Sequence, residues 1–159
     1  MACVSGIPDQ DSVVVTIQVA APAERVFAAI ADPRQVSQWW GQGGLYRITG
    51  WRGDLRVGGK WRSDGVGADG KPFHVGGEYL QVDPPALLVH TWVPSYAGNL
   101  ETTVRWELKA QDGGTEVTVR HTGFAGNADL AKGHGEGWVR VLGWMRGFVE
   151  KGETVDSRG

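Results

Sequence analysis

Three histidines and one glutamate could supply acid–base chemistry, because the alternation of predicted strands puts them on faces that also carry apolar residues. They are His74, Glu78, His90 and His121. Histidine titrates near neutral pH, and a buried carboxylate can orient it or exchange a proton with it. We therefore treat these four as the candidate acids and bases of any reaction. The alternative for each is an ordinary hydrogen-bonded interior group, or a strand end in solvent.

His90 is the strongest of these candidates, since it alternates with Leu88 and Trp92 along one predicted strand. The substitution His90→Phe is expected to preserve the fold, because a ring of similar bulk replaces the imidazole. Unfolding of that variant would mark His90 as a structural hydrogen-bonding residue. His134 precedes the apolar stripe of the last predicted helix, and we assign it to a loop or helix start outside the candidate set.

Tryptophan is unusually frequent, with eight residues in a chain of 159. Each ring has a large apolar surface and one N–H donor that usually needs a partner when buried. A small solid core has little room for so many rings, so we predict a concave cavity for a flat, hydrophobic molecule. Plain core packing is the alternative for each ring.

Periodicity sorts these rings by position. It predicts that four rings point into one interior and that two lie at the mouth of the cavity. Trp51 and Trp144 remain unassigned. The interior four are Trp61, Trp92, Trp106 and Trp138, and the mouth pair is Trp39 and Trp40. The predicted ligand-contacting set is Trp39, Trp40, Trp61, His90, Trp92, Trp106, His121, Trp138, Leu142 and Met145.

The elements that must position these residues follow a clear order. Alternating apolar residues from Val13 to Val19 predict a first strand. Two short helices follow, one opened by Ala21–Glu24 and one by an Asp32 N-cap with Pro33 at its first position. Six further strands are predicted over 45–51, 59–66, 73–82, 86–93, 100–109 and 115–122. A helix over 129–151 then has a continuous apolar stripe, which includes Trp138, Leu142 and Met145.

Short links between successive strands favour an antiparallel meander, because parallel strands need long crossovers. The long amphipathic helix is the available cover for its apolar face. We therefore predict an α+β fold in which a curved antiparallel sheet wraps around a long C-terminal helix. The predicted organisation is a flexible tail over 1–11, one domain over 12–152 and a second tail over 153–159.

Composition narrows the classes of partner. The net charge is −2 and the sequence has no block of basic residues, so a nucleic-acid partner is not expected. No apolar run approaches the roughly 20 residues of a membrane span. The lone Cys3 allows no intramolecular disulfide, and residues 1–11 lack a secretory signal, so we expect a cytoplasmic protein. Metal-site and nucleotide-binding motifs are absent from the sequence, so no metal and no cofactor are expected.

The order of elements and several motifs resemble the helix-grip domains of the START-like (SRPBCC) superfamily, which includes polyketide cyclases. Within it, the chain is most similar to the branch named after the activator of the heat-shock protein 90 ATPase. The matching segments are 21–27, Trp39-Trp40, 54–61, 77–85, 88–92 and Gly137-Trp138. The resemblance implies an elongated cavity between sheet and helix. The co-chaperones of that branch carry a further N-terminal domain, for which this sequence has no room, so direct chaperone activation is not expected.

The preferred interpretation is a binder of a hydrophobic, aromatic or polycyclic small molecule, with a homodimer as a possible assembly. One alternative is a cyclase- or dehydratase-type enzyme that uses the candidate histidines and Glu78 inside the same cavity. Another is a chaperone-related protein-interaction module that works through its outer sheet face. Two polar groups within reach of one ligand atom would favour the enzyme. A filled interior, with no pocket near the roughly 300 Å³ lower range of ligand sites, would favour the interaction module.

Overall fold

The structure, a computed structural model, describes residues 3–5, 12–124 and 126–158, with the backbone alone described for 3–5 and 158. In these residues the strands are β1 (Cys3–Ser5), β2 (Ser12–Val19), β3 (Gly41–Gln42), β4 (Tyr46–Gly53), β5 (Lys60–Gly67), β6 (Pro72–Asp83), β7 (Leu87–Pro94), β8 (Thr102–Gln111) and β9 (Gly114–Thr122). The α-helices are α1 (Ala23–Ala31), α2 (Pro33–Trp39) and α3 (Ala128–Lys151). Two short 3₁₀ turns, Ser95–Ala97 and Asp156–Arg158, complete the elements.

All strands join one antiparallel sheet in the order β1-β2-β9-β8-β7-β6-β5-β4-β3. From β4 to β9, each strand pairs with the next one in sequence, as the short connecting turns predict. Strand β2 pairs with the last strand, β9. The connection after β2, through α1 and α2, therefore leads to β3 at the opposite edge of the sheet. The predicted α+β helix-grip fold is confirmed, with the two short edge strands β1 and β3 as additions.

Helix α3 packs against β2 and covers the inner face of the sheet. Its N-cap is Asn127, whose side chain accepts a hydrogen bond from the Leu130 amide, and Gly152 ends it in the left-handed conformation with φ 72°. The predicted N-cap of α2 is also observed, because the Asp32 carboxylate accepts from the Arg34 amide. These caps fix where the helices begin and therefore which side chains reach the interior.

The inner face of the sheet follows strand alternation closely in β2, β5, β8 and β9. The alternating residues of β2 from Val13 to Val19 are at most 2% exposed. Trp61 and Ser63 of β5 are buried, whereas Lys60 at the start of β5 forms an exposed ion pair with Glu78 of β6. Apolar alternation is therefore a sound guide wherever the ladder is regular.

A β-bulge in β6 overturns the predicted inner face of that strand. The pairing with β7 shifts between Tyr79 and Gln81, so one extra residue separates Tyr79 from Val82. Tyr79 pairs with His90 and Val82 with Leu88, and both partners are buried. The alternation that places Leu80 and Val82 inward, with His74 and Glu78 on their side, is therefore wrong before the bulge, and Leu80 itself is 41% exposed.

Both predicted tails contain ordered elements. Within 1–11, Cys3–Ser5 forms β1 against β2, while the other residues of this range lie outside those described. Within 153–159, Val155 is 8% exposed and its amide bonds to the Gln38 carbonyl of α2. No helix in the described part of the chain is long and apolar enough to cross a membrane.

Candidate functional site

Seven tryptophans form one continuous network of ring contacts, which we call the ring cluster. Its members are Trp39, Trp40, Trp51, Trp61, Trp92, Trp106 and Trp138. Ring centroids in contact lie 5.2 to 6.1 Å apart, within the usual range for favourable aromatic pairs. Trp144 instead packs edge-on against Tyr46 at 6.0 Å. The rings therefore come from every layer of the fold and meet in one place.

Most of the ring cluster is packed solid, which differs from the expectation that the rings mainly line a cavity. The void among Trp61, His90, Trp106 and their neighbours measures only about 20 Å³. A space of this size holds about one water molecule. The four rings predicted to point to one interior do so, but between Trp61 and Trp106 they fill it.

His90 is held in the cluster by hydrogen bonds to both ring nitrogens. Its Nδ1 lies 3.0 Å from the Thr91 carbonyl, which can only accept, so Nδ1 carries the proton. Its Nε2 accepts from the Trp106 indole N–H at 3.1 Å. Burial lowers the pKa of His90 to about 4, against the smaller opposing effect of the Thr91 hydrogen bond. His90 is thus a neutral, fully partnered bridge with neither nitrogen open to a substrate.

His121 has the opposite tautomer. Its Nδ1 accepts from the Trp138 indole N–H at 3.0 Å, so its proton is on Nε2 and is donated to the Thr102 hydroxyl at 2.7 Å. The Thr102 hydroxyl in turn donates to the Trp92 carbonyl at 3.0 Å. Burial, and after it the electrostatic effect that protonation of the neighbouring His134 or His90 would have, holds the pKa of His121 well below its usual range. This chain of hydrogen bonds orients two tryptophan-bearing elements and leaves His121 no free nitrogen.

We expect Thr102→Val to lower the free energy of unfolding by about 1–3 kcal/mol, because it leaves the buried His121 N–H without an acceptor at nearly constant volume. Chemical denaturation monitored by tryptophan fluorescence measures this loss. Thr103→Val, one residue along β8 on the outward face, is the matched control and should change stability little. Equal effects of the two substitutions would contradict the proposed hydrogen-bond chain.

The other two acid–base candidates lie on the outer face of the sheet. Glu78 binds Lys60 at 2.8 Å, and its side chain is 41% exposed. His74 precedes it by four residues on the same side of β6, so it too points away from the ring cluster. Their predicted interior position is wrong, because the bulge after Tyr79 reverses the parity from which it was inferred.

An open cleft of about 610 Å³ lies beside the ring cluster, between strands β4 to β6 and the N-terminal half of α3. Most of its surface is contributed by aromatic and aliphatic side chains. Its lining includes Trp40, Tyr46, Ile48, Trp51, Phe73, Val75, Trp92, Tyr96, Leu130, His134, Gly137, Trp138, Arg140 and Val141. The volume falls within the range of small-molecule sites.

Three of the predicted ligand-contacting residues line this cleft, namely Trp40, Trp92 and Trp138. The others are packed behind it, and they are Trp39, Trp61, His90, Trp106, His121, Leu142 and Met145. The expected position of Trp39 at the mouth is wrong, since the ring is 0% exposed and its N–H bonds to the Ala29 carbonyl of α1. Trp39 therefore fastens α2 to α1.

A tyrosine–histidine pair faces the cleft, and sequence reasoning missed it. The Tyr96 hydroxyl lies 2.9 Å from His134 Nε2 and accepts from the Trp92 indole N–H at 3.2 Å. Tyr96 comes from the 3₁₀ turn after β7, where no periodicity marks a functional residue. His134 did carry a signal, because Leu130, His134 and Trp138 are spaced by four residues and share one helix face.

His134 is neutral and has a fixed proton. Its Nδ1 lies 2.9 Å from the Leu130 carbonyl, so that nitrogen is the donor and Nε2 accepts from Tyr96. Burial lowers the pKa of His134, against the opposing Leu130 hydrogen bond. Burial also raises the pKa of Tyr96 to about 12, which keeps its hydroxyl protonated. The pair is therefore a neutral, oriented polar group on an otherwise apolar wall.

Charged residues stand only at the rim of the cleft. Arg140 and Lys71 supply positive charge there, and Asp69 and Asp129 supply negative charge. Among the described residues, no three histidine, cysteine, aspartate or glutamate side chains are grouped so as to hold a metal ion. The chemistry of the cleft is thus that of aromatic surfaces with a few hydroxyl and imidazole groups.

Comparison with known proteins agrees with this architecture. Residues 20–150 match the sequence profile of the family described as Activator of Hsp90 ATPase homolog 1-like protein. No functionally curated protein matches the chain at a significant level.

Several solved structures share the fold. A protein from Rhodobacter sphaeroides superposes with a TM-score of 0.81 at 20% identity, over 94% of this chain and 99% of its own. Protein Ms6760 from Mycobacterium smegmatis gives 0.78 at 24% identity, over 96% of both chains. DynU16, a protein of the dynemicin biosynthetic locus, gives 0.73 at 25% identity, over 91% of this chain and 49% of its own.

Proposed function

The chain belongs to the Activator of Hsp90 ATPase homolog 1-like family, and on this helix-grip scaffold we propose that the open cleft binds a hydrophobic, aromatic or polycyclic small molecule. The observation that carries the proposal is the cleft itself. It has a volume of about 610 Å³, and four tryptophan rings stand along it. DynU16, which shares the fold, belongs to the locus that makes a small molecule, dynemicin, and this association points the same way.

The walls of the cleft suit a flat ligand. Trp40 and Trp92 are stacked at 6.1 Å with an angle of 27° between their planes. Trp51 stacks on Trp61 behind it at 5.5 Å and 17°. Rings held in this way present fixed apolar surfaces, so a rigid aromatic ligand can contact them at little conformational cost. Burial of its apolar surface supplies the main driving force.

The acid–base alternative receives no support from its original candidates. His90 and His121 have both ring nitrogens engaged in the packed cluster. His74 and Glu78 lie on the other face of the sheet. An interaction module was expected to have a filled interior and no pocket of ligand size, whereas a cleft of that size is open beside the packed rings. Small-molecule binding is therefore the function that the geometry supports best.

Native mass spectrometry of freshly purified protein, followed by tryptophan-fluorescence titration with polycyclic aromatic compounds, tests the proposal. We expect either a co-purified small molecule or an emission change that saturates at micromolar ligand, because fluorescent indole rings line the site. The same spectra report whether the protein is a monomer or a homodimer. The proposal fails if nothing co-purifies and no compound changes the emission.

A further inference from the structure

The hydroxyl of Tyr96 has one remaining capacity for hydrogen bonding, and it is that of an acceptor. Its proton is donated to His134 Nε2, since His134 Nδ1 is already the donor to the Leu130 carbonyl. One lone pair accepts from the Trp92 indole. A phenolic oxygen has a second lone pair. Tyr96 can therefore accept a hydrogen bond from a ligand, while His134 prevents it from donating one.

The hydroxyl of Tyr46 has the complementary capacity. Its oxygen accepts from the Trp40 indole N–H at 3.1 Å. Its own proton has no acceptor among the described residues, and the half-buried side chain lines the cleft. Burial raises the pKa of Tyr46, so this proton stays in place. A ligand that covers this hydroxyl must supply an acceptor, because a buried donor without a partner costs free energy.

The rings that carry the two hydroxyls pack against the same phenylalanine ring, that of Phe73. The Phe73 ring contacts Tyr46 edge-on at 5.8 Å and Tyr96 edge-on at 6.4 Å. The indoles that anchor them, Trp40 and Trp92, are themselves stacked. The cleft thus offers one hydrogen-bond donor and one acceptor, on two tyrosines that contact one phenylalanine ring and are anchored by indoles of the ring cluster.

We propose that the cleft selects a flat aromatic ligand carrying two separate oxygen functions, a carbonyl that accepts from Tyr46 and a hydroxyl that donates to Tyr96. This inference rests on the proposed function and specifies its ligand class as aromatic hydroxyketones. A hydroxyl that has been methylated cannot donate to Tyr96. A hydrocarbon without the carbonyl leaves the Tyr46 proton unpaired.

Four compounds that differ only in these two functions test the inference. They are fluorene, fluorenone, hydroxyfluorene, and hydroxyfluorenone with its hydroxyl away from the carbonyl. Fluorescence titration should rank hydroxyfluorenone tightest, with each missing function weakening binding by about tenfold, as loss of one buried hydrogen bond predicts. Tyr96→Phe should abolish the preference for compounds with the hydroxyl and keep the preference for those with the carbonyl. Tyr46→Phe should have the opposite effect.

Tyr79→Phe is the matched control, because Tyr79 is a buried tyrosine that does not line the cleft. It should leave both preferences unchanged. Equal affinity for all four compounds, with no effect of either tyrosine substitution, would overturn the inference while small-molecule binding stands. Binding of none of the four would reject both the inference and the proposed function for ligands of this size.

Discussion

Replacing Gly137 with phenylalanine is expected to weaken ligand binding by about 100-fold or more, equivalent to a loss of roughly 2.7 kcal/mol or more of binding free energy. Gly137 lies on α3 in the wall of the cleft, and a Cβ added there meets no atom within 4 Å. The new ring therefore enters space that a ligand would occupy. Phenylalanine also has a higher helix propensity than glycine, so the folded protein should not lose stability through the helix.

Gly143→Phe is the matched control for this experiment. Gly143 lies on the same helix, and a Cβ there also meets nothing within 4 Å, but the residue is exposed and is not part of the cleft. Titration of both variants with the same aromatic ligand, together with their thermal unfolding, separates blocking from general effects on α3. Unchanged binding by a folded Gly137→Phe protein would place the ligand elsewhere.

Acidification from pH 7 to pH 5 is expected to lower the free energy of unfolding by about 2 kcal/mol through His90 alone. The pKa of His90 falls from 6.5 in the unfolded chain to about 4 in the folded protein, with burial as the main cause. The unfolded chain therefore binds the proton first. The stabilisation is fully present above pH 6.5 and is lost as the pH falls towards 4. His121 and His134 have pKa values shifted in the same direction and should add to the loss.

The range from pH 7 to pH 5 reports the contribution of the histidines to stability and leaves out that of the carboxylates. Arginine partners hold the pKa values of Asp32, Asp64 and Glu107 below their ordinary values of 3.8, 3.8 and 4.5, so their contribution is lost only at lower pH. Denaturant titrations at pH 7, 6 and 5 measure the slope. A wild-type protein equally stable at the three values would contradict the neutral, buried state of these histidines.

Two histidine variants identify the source of the slope. His90→Phe should still fold, but with stability at pH 7 lower by about 1–3 kcal/mol, because the Trp106 N–H loses its acceptor. Its loss on acidification should be smaller than that of the wild type, since one titrating group is gone. His74→Gln, on the outer face, is the control for replacing a histidine outside the ring cluster.

The fold was predictable from sequence because apolar alternation and turn residues repeat at every regular strand. The inward positions of His90 and His121 followed from the neighbours that share their parity, and both are buried. The same reasoning failed for His74 and Glu78, since no local signal marks the bulge after Tyr79. A single extra residue is enough to exchange the two faces of a strand.

The site was less predictable, because its polar groups do not follow the periodicity of regular elements. Tyr96 comes from a turn, and its importance depends on a hydrogen bond to a helix residue 38 positions away. Indole N–H groups gave the right general expectation that buried tryptophans need partners. Which partner each finds, such as His90 for Trp106 or Tyr46 for Trp40, depends on tertiary packing.

The indole N–H resonances of the eight tryptophans offer the most direct test of the central claim that the cleft is the ligand site. They can be followed in a ¹H–¹⁵N correlation spectrum while an aromatic hydroxyketone is added. We expect the largest shifts at Trp40, Trp51, Trp92 and Trp138, which line the cleft, and small ones at Trp39 and Trp106 in the packed core. Largest shifts at Trp39 and Trp106, or no shifts at saturating ligand, would contradict the account.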